Sequence, residues 1–387
     1  MPAIQLKLKS IEFLGVNNIE MNNRIKIIAF YLPQFHPTPE NDEWWGKGFT
    51  EWTSVGKAKP LFKGHYQPRV PADLGYYDLR IPEVRQQQVD LAKEAGVYGF
   101  CYWHYWFGAG KEMLEMPFME VLKSGRPDFP FCLGWANESW YAKVWDASAE
   151  SKHRLLIEQQ YTGEQDHINH FQKYRSAFAD KRYIRQDGYP LFLIYQPFSF
   201  QNIKEFIKLW NHLIKEEGIA EKFYFVANIK DESLADQMLE VGFNAVTVQP
   251  MSRIKKVTSE KSSPLMSFTK RIAQHFTKRP LNVYSYKKIL NSLTVRPFDQ
   301  REDVIPFIMP NWDHSPRSGR YGVVLNDCCP DLFGKHVEKV FDILNSKDNK
   351  FVFLKSWNEW AEGNYMEPDL RFGKGYIKVL REMIDRY

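Results

Sequence analysis

The stretch FVFLKSWNEWAEG, residues 351–363, decides the fold. It opens with four apolar residues and ends in a polar and aromatic segment that contains Asn358, Glu359 and Glu362. A short apolar run of this kind is typical of a strand buried on both faces. Seven earlier runs have the same character, and most of them also end in polar or aromatic residues. The eight runs are 25–31, 99–103, 129–135, 190–195, 223–227, 245–248, 305–309 and 351–355.

Helical patterns lie between most of these runs, with apolar residues recurring at spacings of three and four. Strands that alternate with amphipathic helices predict a parallel sheet covered on both faces, and eight such units predict an α/β fold of the (β/α)8 TIM barrel type. A doubly wound sheet fits the sequence less well, because such a sheet usually has a glycine-rich turn after an early strand. Gly46-Lys47-Gly48 lacks the third glycine of a dinucleotide-binding turn. The helical patterns cover 82–95, 164–179, 203–217, 231–241, 332–344 and 375–387.

The length of 387 residues allows either two or three average domains or one large barrel. We predict one barrel over residues 24–387, preceded by an N-terminal extension, 1–23, and carrying an insertion, 252–303, between the sixth and seventh strands. Residues 37–77 form a long aromatic loop after the first strand. Its segment 44–52 is interpreted as a lid over a ligand site, as a cap on the barrel end, or as both.

Composition excludes several classes of protein. A net charge of +5 is too small for a dedicated nucleic-acid binder. The four cysteines have neither disulfide-framework nor zinc-site spacing, so we expect a reducing compartment, no metal and no cofactor. The N-terminus lacks the apolar core of a secretory signal, and no run of about 18 apolar residues appears. These features predict a cytoplasmic protein.

One basic amphipathic stretch, 263–279, allows two interpretations. The simpler is a solvated helix face. The other is a peripheral contact with anionic lipid at the inner membrane, or with an acidic glycan.

In a TIM barrel the active site lies where the strands end, so the polar residues after each run are expected to converge there. They are amides, carboxylates and imidazoles set among many aromatic side chains, which make up 16% of the chain. Amides and carboxylates bind sugar hydroxyls, and aromatic rings stack on sugar C–H faces, so this pattern predicts a carbohydrate site. For His36 and His104, hydrogen bonding to strand-end carbonyls is an equally good interpretation. The predicted substrate-binding residues are Gln34, His36, Trp45, Trp52, Trp103, His104, Asn137, Glu138, Asn228, Trp312, Asn358 and Trp360.

Cleavage of a glycosidic bond typically needs two carboxyl groups. Glu359 and Glu362 lie three positions apart after the eighth run, and Trp360 between them can exclude water and raise a carboxyl pKa. The alternative is that both are solvated loop glutamates, because most Glu side chains in proteins are exposed to solvent. Their place at a strand end favours catalysis. Glu138 and Glu367 are further candidates.

Several motifs resemble one known family. FYLPQFHP at 30–37 and DEWWGKGFTEW at 42–52 look like the opening signature of the WbsX-type proteins, which are glycoside hydrolase family 99-like and occur in bacterial surface-polysaccharide loci. YWHYW at 102–106, WANESW at 135–140 and WNEWAEG at 357–363 continue the match. The resemblance covers residues 24–387. The last motif is similar to the NEWGE segment of endo-α-mannosidases, with Ala361 in place of glycine.

The resemblance implies a retaining mechanism on a (β/α)8 barrel without a metal. In that mechanism Glu359 is the base that activates the sugar's own 2-hydroxyl, which gives a 1,2-anhydro sugar, and Glu362 is the acid and later the base. Tyr31 and Tyr195 would contact the reacting sugar. The implied substrate is a bacterial oligosaccharide or polysaccharide, free or lipid-linked. Participation of the 2-hydroxyl implies α-mannose-like or α-rhamnose-like stereochemistry.

Two other functions remain open. A glycosyltransferase or transglycosylase of O-antigen or capsule biosynthesis would use the same chemistry with a sugar acceptor, since the chain has no Asp-x-Asp motif. A non-catalytic glycan-binding barrel is the third hypothesis, although both glutamates are intact.

Overall fold

The computed structural model describes residues 24–141, 154–259 and 282–387. Eight parallel strands form the barrel. They are β1 (Lys26–Tyr31), β2 (Gly99–Gly108), β3 (Phe131–Trp135), β4 (Tyr189–Ile194), β5 (Tyr224–Ile229), β6 (Ala245–Val248), β7 (Phe307–Ile308) and β8 (Phe351–Leu354). Each strand pairs with its sequence neighbour except at β6 and β7, and β8 pairs with β1, where Lys26 lies opposite Phe351.

The ring closes between β6 and the residues just before β7. The Val246 N–H donates to the Asp303 carbonyl and the Ile305 N–H to the Val246 carbonyl, both at 2.8 Å. Closure leaves no free sheet edge. The prediction of a (β/α)8 TIM barrel is therefore confirmed.

Helices cover the outside of the barrel, and residues in the middle of its strands are buried on both faces, as Ile27, Ile28 and Ala29 of β1 illustrate at 0% exposure. The carboxy-terminal helix packs against the helices that follow β1 and β7. The helices are α1 (Pro39–Trp45), α2 (Glu51–Lys57), α3 (Pro82–Ala95), α4 (Met116–Ser124), α5 (Glu164–Ala179), α6 (Ile203–Glu216), α7 (Ala235–Val241), α8 (Pro250–Ser259), α9 (Tyr286–Ile289), α10 (Arg296–Asp299), α11 (Ser315–Ser318), α12 (Pro330–Asn345) and α13 (Gly375–Arg386).

Short pieces of structure decorate the barrel ends. The short strands are Lys111–Met113, Trp140–Tyr141, Leu155–Ile157, Arg185–Gln186, Val283–Ser285, Val324–Asn326, Asn358–Glu359 and Asn364–Tyr365. The 3-10 turns are Pro197–Ser199, Glu232–Leu234, Leu290–Ser292, Gly319–Tyr321 and Trp360–Glu362.

The aromatic segment after β1 is more ordered than a loop, because it contains α1 and α2. Thr38 caps α1 by accepting a bond from the Asn41 N–H at 3.2 Å, and Pro39 occupies the first turn, where it suits a helix. The Glu51 N–H, which begins α2, donates to the Gln34 carbonyl at 3.0 Å. The segment is thereby tied to the end of β1.

Strand β2 is longer than its sequence pattern indicates and runs to Gly108. His104 therefore lies inside the strand and not in a loop after it. Because side chains alternate between the two faces of a strand, Trp103 and Tyr105 share one face while His104 is on the other.

The basic stretch 263–279 and the N-terminal extension 1–23 lie outside the described residues. In the part of the chain that the structure describes, no helix combines the length and apolar character of a membrane span.

Candidate active site

A cavity of about 680 Å³ opens at the carboxyl ends of the barrel strands. This volume is within the usual range of ligand pockets, about 300–1,000 Å³. The cavity brings together eight of the residues that the sequence indicates. They are Gln34, Trp45, Trp103, Asn137, Glu138, Tyr195, Glu359 and Glu362.

Glu359 lies at the base of this cavity in a dense set of donors. Lys355 Nζ is 3.0 Å from both carboxylate oxygens, and Ser356 Oγ and Trp103 Nε1 donate to Oε1 at 3.0 and 2.9 Å. Lys355 itself lies over the rings of Phe30, Trp103 and Trp312, at 5.8, 5.6 and 6.0 Å. These contacts hold the carboxylate in one orientation.

Burial raises the pKa of Glu359, while the charge of Lys355 opposes the shift. The nearby Glu362 raises the pKa of Glu359 further. The pair is therefore suited to exchange protons with a bound molecule.

Glu362 is paired with Arg317 of α11. Arg317 Nη1 donates to Glu362 Oε1 at 2.6 Å, and Nη2 donates to Glu51 Oε1 at 2.5 Å. Burial favours the neutral form of the guanidinium, but Glu51 and Glu362 outweigh it and raise the pKa of Arg317, so the group stays charged. Burial also raises the pKa of Glu51, against the influence of Arg317.

Aromatic side chains form much of the remaining wall, and these include Trp45, Phe49, Tyr105, Trp140 and Tyr161. Burial raises the pKa of Tyr195, and Glu138, Glu362 and Glu359 add to the shift. The Tyr195 hydroxyl therefore remains protonated and able to donate. Rings and hydroxyls in one wall match the C–H faces and hydroxyls of a sugar.

The other predicted substrate-binding residues lie outside the cavity lining. Tyr31 donates to Gln88 Oε1 of α3 at 2.7 Å, on the opposite side of the barrel wall. His104 contacts His170 at 2.6 Å between their Nε2 atoms, and burial lowers the pKa of His104 to about 3. In both cases the alternation of side chains along a strand turns the residue toward a covering helix.

Four more of the predicted substrate-binding residues support the loops around the cavity. His36 contacts the Pro33 carbonyl at 3.0 Å, in line with the strand-end alternative. Trp52 Nε1 donates to the Tyr77 carbonyl at 2.8 Å. Asn358 bridges the backbone N–H and carbonyl of Leu32 at 2.7 and 3.0 Å, and the Trp360 ring stacks on Tyr365 with centroids 3.8 Å apart.

Neither Asn228 nor Trp312 lines the cavity. Asn228 is buried in β5, and the Trp312 ring packs against His314. Asn137 does line it, yet its amide is engaged by Tyr161 and Gln196, which ties two loops together. The amide groups of Asn137 and Asn358 thus position loops at the barrel mouth.

Four charged cavity residues were not among the sequence candidates, namely Glu51, Lys230, Arg317 and Lys355. Lys355 could have been identified from the sequence, because it ends the eighth run directly before the motif WNEWAEG. Glu51 lies inside one of the family motifs. Arg317 could not have been identified from its neighbours in the sequence, since it lies in the single-turn helix α11 after β7, outside the predicted helical patterns.

Glu367 is buried behind the turn Trp360–Glu362 and does not line the cavity. It accepts bonds from Trp360 Nε1 at 2.6 Å, Gln88 Nε2 at 2.7 Å and the Tyr77 hydroxyl at 2.9 Å. Burial raises the pKa of Glu367 to about 7, although these donors oppose the shift. Its role is to hold the Trp360 indole between the two catalytic candidates.

A pH-dependent loss of stability follows from Glu367. Its pKa in the folded protein is about 7, whereas an unfolded Glu ionises near about 4.3, so stability falls as the pH rises between these values. We expect wild type to lose up to about 3 kcal/mol relative to Glu367→Gln between about pH 5 and 8. Urea unfolding at both pH values measures this difference. Glu240→Gln on exposed α7 is the control, and equal pH slopes for wild type and Glu367→Gln would contradict the prediction.

No group of three or more His, Cys, Asp or Glu side chains within 24–141, 154–259 and 282–387 is arranged to hold a metal ion.

The fold and the cavity define a (β/α)8-barrel protein with paired carboxylates and aromatic walls at the carboxyl end of its barrel. The chain belongs to the family described as "Glycosyltransferase WbsX", whose model matches residues 27–380.

The chain is also similar in sequence to two further proteins and in fold to solved structures. Two proteins called "Uncharacterized protein WxcX", from two strains of Xanthomonas campestris pv. campestris, are each 35% identical to the chain and match 93% of it. The chain spans 50% of the length of these relatives. Its fold is similar to a "Glycoside hydrolase-like protein" (TM-score 0.57, 15% identity, 93% of this chain and 94% of that one).

The fold is also similar to the GH99 endo-alpha-mannosidase of Bacteroides thetaiotaomicron, with a TM-score of 0.56 and 14% identity over 93% of this chain and 96% of that one. The expected WbsX and family 99-like resemblance is confirmed.

Proposed function

We propose that the chain is a carbohydrate-active enzyme that cleaves or transfers a glycosidic bond with retention of configuration. The substrate class is a bacterial surface-type polysaccharide or oligosaccharide. The main support for this proposal is that Glu359 and Glu362 line one cavity beside aromatic side chains. Lys355 pairs with Glu359, and Arg317 pairs with Glu362.

In the proposed reaction Glu359 takes the proton of the sugar's 2-hydroxyl. Oxygen O2 attacks the anomeric carbon, while Glu362 gives its proton to the departing glycosidic oxygen, and a 1,2-anhydro sugar forms. Glu362 then takes a proton from water or from an acceptor hydroxyl as that oxygen attacks carbon one, and Glu359 returns its proton to O2. Lys355 and Arg317 stabilise the carboxylates that alternate during the two steps.

Transfer to a sugar acceptor is the second candidate, and the family description, which names a glycosyltransferase, favours it. It would place the protein in O-antigen or capsule assembly, in the cytoplasm or peripherally at the inner membrane. The chemistry at Glu359 and Glu362 is the same, and only the nucleophile of the second step differs. A non-catalytic glycan-binding barrel would bind the same glycans unchanged.

The test is incubation of the protein with free and lipid-linked bacterial glycans that contain α-mannose-like or α-rhamnose-like units. Mass spectrometry detects cleavage or a mass increase, and NMR of the first-formed product reports the anomer. We expect the retained anomer. An inverted product rules out the proposed mechanism, and binding without any conversion supports the non-catalytic barrel.

A further inference from the structure

Asn41 of α1 has a buried side-chain amide that makes no hydrogen bond with any described residue. Both Nδ2 and Oδ1 lack a partner, although Asn41 is 0% exposed. An Asn amide carries two donor hydrogens and an acceptor oxygen, and burying them unsatisfied costs stability. In the described segments of the chain, Asn41 is the one residue in which two buried side-chain atoms lack a partner. Such groups are few in native proteins, so Asn41 is a candidate for a ligand contact.

Asn41 borders the cavity that contains Glu359 and Glu362. Trp45 also lines this cavity and lies four residues further along α1, on the same face of the helix. The backbone N–H of Asn41 donates to Thr38 Oγ1 at 3.2 Å and so contributes to the helix cap. The backbone of Asn41 therefore has a structural partner, whereas its side chain has none.

Gln159 carries a second unsatisfied amide in the adjoining part of the cavity wall. Its Oε1 is buried without a partner, and Gln159 also lines the cavity. The Gln159 N–H donates to Ser139 Oγ at 2.9 Å, which fixes it beside the residue that precedes Trp140. The Trp140 ring meets the Trp44 ring of α1 edge to face, with centroids 6.2 Å apart. The two amides therefore belong to one continuous wall.

Tyr105 connects this wall to the carboxylates. Its ring meets the Trp140 ring with centroids 5.1 Å apart, and its hydroxyl has no hydrogen-bond partner in the described part of the chain. Tyr105 and Trp103 lie on the same face of β2, about 7 Å apart along the strand. Trp103 Nε1 donates to Glu359 Oε1 at 2.9 Å. The wall is thus close enough to Glu359 to contact the neighbouring unit of the same glycan.

We infer that this wall binds a second sugar unit, adjacent to the unit that reacts at Glu359 and Glu362, and that Asn41 contacts its hydroxyls. The inference rests on the proposed function and deepens it, because the substrate must then contain at least two α-mannose-like or α-rhamnose-like units. Indole rings suit the C–H faces of such a unit, and amides suit its hydroxyls. The wall consists of Asn41, Trp45, Tyr105, Trp140 and Gln159.

The enclosed position of the Asn41 amide affects both affinity and stability. The amide meets a sugar when the side chain rotates toward the cavity that it borders. No hydrogen bond to solvent has to be broken on the protein side, because both amide atoms are already enclosed. A sugar hydroxyl bonded to the amide also removes the cost of the unsatisfied groups. The amide therefore contributes to ligand affinity, whereas it lowers the stability of the unliganded protein.

Calorimetric titration of wild type and Asn41→Leu with probes of one and two sugar units tests the inference without requiring catalysis. The probes are methyl α-mannoside with α-linked mannobiose, and methyl α-rhamnoside with α-linked rhamnobiose. For one of these pairs we expect the second unit to lower the Kd of wild type by about tenfold. Asn41→Leu should lose most of that gain and bind the methyl glycoside as wild type does. Equal losses for both probes, or no gain from the second unit in wild type, would overturn the inference.

Urea unfolding without a ligand is the independent readout. Leu has the branched shape of Asn and needs no hydrogen bond, so Asn41→Leu should unfold at the same urea concentration as wild type or at a higher one. The matched control is Asn349→Leu, since the buried Asn349 amide donates to the Glu302 carbonyl at 3.1 Å and accepts the Phe351 N–H at 3.1 Å. Asn349→Leu should unfold at a lower urea concentration and bind the probes normally. A similar loss of stability in Asn41→Leu would contradict the unsatisfied amide on which the inference depends.

A second variant keeps the test decisive if Asn41→Leu does not fold. Gln159→Met retains the side-chain length but removes the unsatisfied Oε1, and it should also weaken binding of the two-unit probe alone. Glycan conversion without any effect of the second unit would refute the inference and leave the proposed function standing. A gain from the second unit that Asn41→Leu removes, without conversion of any glycan, would refute the proposed function alone.

Discussion

Glu359→Gln is expected to lower kcat/KM on a cleaved glycan by about 10³-fold or more, because an amide cannot take the proton of the 2-hydroxyl. Glutamine preserves the shape of the side chain and an acceptor for the Lys355, Ser356 and Trp103 donors. The loss should therefore fall on kcat with little change in KM, the pattern of an interaction made in the transition state.

Glu362→Gln should show a loss that depends on the leaving group. A glycoside whose leaving group needs no protonation should recover much of its rate in Glu362→Gln, but not in Glu359→Gln. The matched control is Glu112→Gln, outside the cavity, since Glu112 is also a lysine-paired carboxylate and lies 2.7 Å from Lys173. Activity that survives both cavity substitutions at the wild-type rate would refute the assignment.

Asp313→Ala is expected to destabilise the fold by about 3 kcal/mol or more, because it leaves several buried donors without an acceptor. Asp313 is 0% exposed and accepts His65 Nε2 at 2.8 Å, Gln67 Nε2 at 2.7 Å and the Ser315 N–H at 3.0 Å. Its own N–H donates to the Glu362 carbonyl at 2.7 Å. Asp313 therefore connects the segment after β1 to the turn Trp360–Glu362.

The stability effect of Asp313 also has a predicted pH dependence. Burial raises the pKa of Asp313, but His65 and Arg69 outweigh burial and hold it below its usual value. The ionised carboxylate thus stabilises the fold above the unfolded-state pKa of about 3.9, and this contribution is lost as the pH falls through the lower folded value. Urea unfolding should show a difference between wild type and Asp313→Asn that shrinks on acidification. A difference independent of pH would contradict the ion-pairing role.

The barrel could be predicted because its signal is local and repeated. Each buried strand is a short apolar run, and each covering helix has a spacing of three and four, so helices 82–95 and 164–179 begin and end as the pattern indicates. The ends of strands were less predictable. Aromatic residues continue β2 for five residues beyond the predicted 103, and this continuation decides where His104 points.

The sequence predicted that Glu359 and Glu362 lie in one site, and it predicted the surrounding residues only in part. Tyr31, His104 and Asn358 are polar residues at strand ends, yet each is engaged by other parts of the protein, Gln88, His170 and Leu32 respectively. A sequence cannot show that a polar group already has a partner, because these partners lie 57, 66 and 326 positions away. The roles of Glu359 and Glu362 in catalysis stay predictions.

The sequence by itself determined the barrel, the family, and the place of Glu359 and Glu362 after the eighth strand, because all three depend on residues that are close together in the chain. Only the tertiary structure decided which charges surround that pair. Arg317 meets Glu51 across 266 positions of sequence, and barrel closure brings the loops that carry them together. The ionisation of a buried carboxyl depends on such neighbours, so the charge environment of this pair is a property of the folded chain.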